Sequence, residues 1–388
     1  MGHQSVQLEQ GQWVGWFAKQ IPDPVIRLRF LQRVGPVPVA PAGNTPLKLR
    51  IQWLLPPLIF VLAASCYFLA MGRSHAVPIA RPNHPTLVSA PRLVSPSTPV
   101  WQVEKSGNSE TYSNGLRIDT RFAVSNHPRS YRKFALSGPD TRGTVGQQPV
   151  GIVFHTTESR QAPFEEGQNT LLQRLGESLL EYVQRRRAYN FLIDRFGRVY
   201  RVVAESDAAN HAGYSVWADD HWLYVNLNES FLGVALEAQT EPGGLEAPMS
   251  PAQLRAAAIL TEMLRSRFAI APGNCVTHAQ VSVNPSNMLV GYHTDWASSF
   301  PFAAIGLPDN YARPLPAVWA FAFGYDSTFL RAGGARMEAS VGLAEDALNR
   351  AAAASGFSAK AYRLELRKRY RQQLAAVHSS PANQESTE

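Results

Sequence analysis

With 388 residues and a mass of 42.7 kDa, the chain is long enough for one large or two modest domains with a substantial core. Charged residues supply 17% of it, against 28 prolines and 27 glycines, a balance that predicts long irregular connections beside a folded part. The formal charge of +7 gathers mostly near the two ends and gives little support for an anionic partner, and two cysteines, one inside an apolar run, exclude a disulfide framework.

In chain order, residues 1–52 form a segment in which Lys19, Arg27, Arg29, Arg33, Lys48 and Arg50 outnumber Glu9 and Asp23. Residues 53–72, WLLPPLIFVLAASCYFLAMG, carry no charge. Such a run, at about 1.5 Å per residue, spans the roughly 30 Å of a bilayer's hydrocarbon layer. Pro56 and Pro57 fall in its first turn, where a missing N–H costs little. Only Arg73 follows closely, so the charge asymmetry predicts a single-pass transmembrane helix with the N-terminus in the cytoplasm. A cleaved signal peptide would start earlier and end in a small-x-small site instead of Met71-Gly72-Arg73, and a buried core helix would have a polar face.

Residues 73–111 are rich in Pro and Ser and read as a linker; residues 112–148, with a turn signal at Asn114-Gly115, read as an extended preface to the domain. The main domain is expected over 149–325. VGIVFH is an apolar strand ending on His155, and residues 169–186 repeat apolar side chains at helical spacing. YNFLID and RVYRVV are strands around a turn at Arg195 to Gly197, and FLGVALEA from Phe231 is apolar enough to be a central strand. Ser250 and Pro251 start a helix that runs to Phe268, and CVTHAQV is a last short run. Strands alternating with helices predict an α/β domain, a central, mostly mixed sheet flanked by helices. Residues 326–388 read as a basic helical extension, its second helix carrying Arg363, Arg367, Lys368, Arg369 and Arg371. A hairpin packed on the domain is the simpler expectation, and contact with anionic lipid or polymer is the alternative.

His155 and His278 close strand-like runs, His211 sits in NHAG, and His293 stands two residues before Asp295. Groups at strand ends point into the crevice where α/β sheets bind ligands. A catalytic zinc takes three protein ligands and leaves one position for water, and His155, His278 and Asp295 can supply them, with His293 as an alternative third. Spacing this long is met equally by structural histidines. Trp222 and Tyr224, within 219–230, are expected in a loop lining or covering a cleft, and the apolar residues before Glu237 predict a raised pKa there. No HExxH occurs, which removes the commonest zinc peptidase.

The pieces GIVFHTTES (151–159), YNFLIDRFGRVYRVV (189–203), NHAG (210–213), FLGVALEA (231–238), THAQV (277–281) and HTDWASSFPF (293–302) occur in this order. Through them the stretch from about Pro149 to Phe302 resembles the zinc-dependent N-acetylmuramoyl-L-alanine amidase family, type 2, related to peptidoglycan recognition proteins and phage T7 lysozyme. The resemblance implies that fold, Zn2+ held by His155, His278 and Asp295, Glu237 as the carboxylate that activates water, and Tyr189 as a catalytic tyrosine. His293 stands where many relatives carry an oxyanion-stabilising lysine, a departure that weakens the electrophilic role, and His211 matches a histidine at the cleft edge. The implied reaction is hydrolysis of the amide between N-acetylmuramic acid and L-alanine, with peptidoglycan or muropeptides as substrate.

That substrate lies outside the bacterial cytoplasmic (inner) membrane, in accord with a lipid anchor at 53–72 and a domain on the periplasmic or extracytoplasmic side. A cell-envelope protein partner stays open, and a nucleic-acid partner fits poorly with that location. The rivals are a catalytically inactive, membrane-anchored peptidoglycan-binding module and a zinc amidase or peptidase acting on another cell-wall amide.

Overall fold

The computed structural model describes residues 99–136, 142–240 and 249–378. The transmembrane helix expected at 53–72 lies outside these residues; among the described residues no helix is long and apolar enough to cross a membrane. The strands are Gln102–Ser106 (β1), Ser109–Tyr112 (β2), Arg117–Asp119 (β3), Tyr131–Ala135 (β4), Thr144–Gly146 (β5), Gly151–Thr156 (β6), Phe191–Ile193 (β7), Val199–Arg201 (β8), Val216–Ala218 (β9), Trp222–Val225 (β10), Phe231–Leu236 (β11), Cys275–Thr277 (β12), Val283–Asn284 (β13) and Leu289–Val290 (β14). The α-helices are Asn169–Arg185 (α1), Leu227–Ser230 (α2), Pro251–Phe268 (α3), His278–Val281 (α4), Pro316–Phe321 (α5), Ser327–Ala354 (α6) and Ala359–His378 (α7).

Eight strands form one mixed sheet in the order β1-β2-β3-β8-β7-β11-β6-β12. Its centre is parallel, with β11 between β6 and β7 and β12 outside β6, while β8 returns antiparallel to β7. Every residue of β6 and β11 is buried, which is why neither sequence alternates. A second, antiparallel sheet has the order β5-β4-β10-β9. The expected α/β architecture is therefore present, with more of the chain committed to it than the sequence indicated.

Some residues read as linker and preface are sheet, β1 and most of β2 within 73–111 and β3, β4 and β5 within 112–148. Gly107, at φ 54°, and Asn108 turn β1 back onto β2, and β3 runs parallel to β8 through Ile118↔Val199. Leu116 and Ile118 are buried in the same core as β6 and β11. All five residues of β1 are exposed, so its QVEKS has no apolar face to distinguish it from a spacer.

Helix α3 begins as its sequence predicts. The Ser250 hydroxyl accepts from the Gln253 N–H at 3.1 Å, the Gln253 side chain accepts from the Ser250 N–H at 3.0 Å, and Pro251 fills the first turn. At the other end of the chain α6 bends at Gly334, whose φ of 59° no helix contains. Helix α7 then packs Tyr370 between Phe321 and Phe323, ring centroids 5.1 and 4.9 Å away. Arg363 pairs with Glu345, while Arg367 and Arg369 donate to the carbonyls of Ala322 and Ala135, each at 3.2 Å. The two helices thus pack on the domain, the simpler of the two expectations, and α7 contributes Tyr370 to its core.

Candidate metal centre

Parallel strands bring the key side chains to one end of the sheet. His155 is the penultimate residue of β6, and β12 beside it runs into α4, which opens on His278. The loop bearing Asp295 is tied to that helix by the Ala279 N–H, which donates to the Asp295 carbonyl at 3.2 Å. The next residue, buried Trp296 at φ 56°, is held by the Tyr311 hydroxyl, which donates to its carbonyl at 2.5 Å.

His155 Nδ1 lies 3.2 Å from Asp295 Oδ2, and His278 Nδ1 lies 2.9 Å from Asp295 Oδ1. One ligand atom from each of the three residues falls within 4.8 Å of the others, and all three are buried. Burial alone would push the Asp295 carboxyl up, but His278 and His155 outweigh it and hold it well below the usual range. Burial, helped by His278, lowers His155 to about 4, so its imidazole is neutral near pH 7. His278 Nε2 is buried without a hydrogen-bond partner. Two imidazoles and one ionised carboxylate converging in this way fit a small divalent cation with nitrogen and oxygen ligands.

Around this cluster stand three more of the expected residues. The Tyr189 ring lies 5.1 Å from that of His155, with its backbone at φ 62°, a conformation rarely adopted by a bulky residue. Burial raises its hydroxyl pKa, so it stays a donor. His293 is exposed and stacks on His278 at 4.7 Å. His211, in the loop before β9, lies over Gly233 of β11 with its Nδ1 3.1 Å from His155 Nε2, and burial lowers its pKa well below the ordinary value.

Glu237 follows β11 and is buried; burial raises its pKa to about 7 against the pull of the Arg195 N–H, as the apolar residues before it predicted. Its carboxylate is turned to that N–H, at 3.2 Å, and towards Gly176 of α1. The residue of β11 in register with His155 is Ala235, two positions earlier. The structure therefore gathers His155, His278, Asp295, His211, His293 and Tyr189, and holds Glu237 by contacts of its own.

The expectation for Trp222 and Tyr224 is corrected. Both are in β10, where Trp222-Leu223-Tyr224-Val225 is a β-forming run that pairs with β4 and β9. Tyr224 is buried, with its hydroxyl donating to Asp219 at 2.7 Å, and Trp222 lies under the Lys133 ammonium at 4.2 Å. Two exposed aromatics near the cluster are instead Tyr214 and Tyr292, 52% and 55% exposed, on a cavity of about 620 Å³ that His293 also lines. Each adjoins a quoted motif, Tyr214 directly after NHAG and Tyr292 directly before HTDW, and that adjacency was the available signal.

Fold and site together define an α/β domain with a buried His-His-Asp cluster, able to hold a metal ion, at the carboxyl ends of its parallel strands. Residues 145–295 match the family model described as N-acetylmuramoyl-L-alanine amidase. AmiD of Escherichia coli (strain K12), an N-acetylmuramoyl-L-alanine amidase, is 33% identical over 89 residues, 22% of this chain and 31% of AmiD. The match thus spans less than a third of that curated relative. Among solved structures, AmpDh3 from Pseudomonas aeruginosa in complex with anhydromuramic pentapeptide is 21% identical, covering 44% of this chain and 63% of its own, with a TM-score of 0.31. AmiD from E. coli in complex with anhydro-N-acetylmuramic acid-L-Ala-D-gamma-Glu-L-Lys is 19% identical, covering 63% and 98%, with a TM-score of 0.34.

Proposed function

We propose that this chain is a zinc-dependent N-acetylmuramoyl-L-alanine amidase, hydrolysing the amide between N-acetylmuramic acid and L-alanine in peptidoglycan or muropeptides. The observation that carries the reading is the convergence of His155, His278 and Asp295 within the segment matching that family. Zinc at such a centre polarises a carbonyl and lowers the pKa of water towards 7. The ionised Asp295 and neutral His155 keep the ligand set ready for it at neutral pH. Tyr189 and His293 flank the cluster as donors to the oxygen that becomes negative during attack, where one donor is worth about 3 kcal/mol. Glu237, with a pKa of about 7, is matched to taking a proton from water and passing it to the leaving amine, while the Arg195 N–H holds its Oε2.

We also infer that residues 53–72 anchor the chain in the bacterial cytoplasmic membrane, with the amidase domain on the periplasmic side. The uncharged run and the basic residues before it support this reading. A second reading, muropeptide binding without turnover, is favoured by Ala235 beside His155 and by the Glu237 carboxylate being engaged elsewhere.

The test is zinc content and release of L-alanine-terminated stem peptide from purified muropeptides by the full-length protein. About one zinc per chain is expected, with turnover abolished by His155→Ala and Asp295→Ala together with zinc, and by Glu237→Gln with zinc retained. Muropeptide binding at full zinc occupancy without release selects the second reading, and turnover by the Gln variant passes the proton-transfer role to another residue.

A further inference from the structure

We infer that His211 is a positioning residue for the metal, fixing the tautomer and orientation of the ligand His155 from a seat that only glycine at 233 leaves open. The inference rests on the zinc reading of the cluster.

The chain of donors and acceptors runs one way. His211 Nε2 lies 3.3 Å from the Phe231 carbonyl, which can only accept, so that nitrogen carries the proton. In a neutral ring the other nitrogen, Nδ1, is then an acceptor, and it faces His155 Nε2 at 3.1 Å. The proton between them therefore belongs to His155 Nε2. That leaves the lone pair of His155 on Nδ1, the atom that faces Asp295. A carbonyl, a histidine and then the ligand histidine do here what a carboxylate or carbonyl does alone behind many zinc-bound histidines.

The seat is built for this ring. In β11, Gly233 pairs with Val153 and Ala235 with His155, so residues 233, 235, 153 and 155 share a face of the sheet. A Cβ on Gly233 would lie 2.6 Å from Cγ of His211 and 2.9 Å from its Cβ and Cδ2, so the imidazole occupies the space a side chain would need. The loop carrying it is clamped to the start of β11 by Asn228, whose Oδ1 accepts from the N–H groups of His211 and Ala212 at 3.0 and 2.6 Å. From the other side Asn190 fixes Gly233 itself, accepting from its N–H at 3.0 Å and donating its own N–H to the Gly233 carbonyl at 2.9 Å. Both partners of the ring are thus immobilised independently of any metal.

The experiment is zinc affinity of the full-length protein, stripped with a chelator and titrated against a chromophoric competitor at pH 7.5. His211→Leu and Gly233→Ala are expected to bind zinc about 10- to 100-fold more weakly than wild type. His211→Asn, whose Oδ1 stands where Nδ1 stood, recovers most of the affinity, and His211→Gln, whose Oε1 lies one bond further out, does not. Should the Leu variant not fold, as judged by circular dichroism of the apo protein, the Gln and Asn pair carries the comparison. Equal affinity of folded Leu and wild-type proteins, or equal loss in Gln and Asn, overturns the positioning role. Failure of wild type to take up zinc overturns instead the metal reading beneath it.

Discussion

A carboxyl held near pKa 7 by burial makes Glu237 costly to ionise in the folded protein. Its ordinary value is 4.5, so folded and unfolded chains both carry the proton below that pH, and the folded state loses stability as pH rises from 4.5 through about 7. Glu237→Gln should therefore stabilise the protein above pH 7, by up to about 3 kcal/mol, and change little below pH 4.5, as urea denaturation across that range would reveal. His155 works in the opposite direction: its value falls from 6.5 to about 4, so the metal-free protein loses stability as pH drops through that window. Acid is expected to release zinc over the same range, measurable by dialysis at pH 7 and pH 5, because the imidazole must be neutral to bind it. The three residues of the cluster were legible from the motifs that carry them. The direction of the Glu237 carboxylate was not, since it depends on the register Ala235↔His155, which only strand pairing sets.

Elements with a strong local signal were readable, and those without one were not. The α3 cap is an example of the first kind: Ser250 accepts from Gln253 and its hydroxyl also donates to the Arg195 carbonyl at 2.9 Å. Ser250→Ala should cost about 1–2 kcal/mol in a denaturation experiment, with Ser250→Gly less affected. Helices α1, α3 and α7 announce themselves by apolar spacing, and β11 by its unbroken apolar run. The three-residue strands β3 and β5 are too short to show a period, and β10 was hidden by its neighbours Asp219, Asp220, Asn226 and Asn228, which read as loop. Tertiary pairing, which a local reading does not contain, decided these segments.

At the scale of the whole described fold, helix α7 is part of the domain's stability. Leu366, Tyr370, Gln373 and Val377 are buried by it, and Tyr370 closes over Phe321 and Phe323. Tyr370→Ala should destabilise by about 3–5 kcal/mol, a large part of the total stability of a typical domain, so its thermal midpoint should fall sharply or soluble protein be lost. The arginines of α7 give it a surface-like composition, yet three of them are spent on carbonyls and Glu345, contacts that composition does not encode.

One hydrogen bond at the start of the described chain has a mechanical meaning. The Val100 N–H donates to Ser266 Oγ at 2.9 Å, near the last turn of α3, whereas the first turn of that helix lies beside Arg195 at the strand ends that carry the metal cluster. An 18-residue helix, about 27 Å long, separates the two. The described chain therefore starts at the rear of the domain, a helix length away from the strand ends, so its first residues enter the fold without crossing the face on which the three clustered side chains converge.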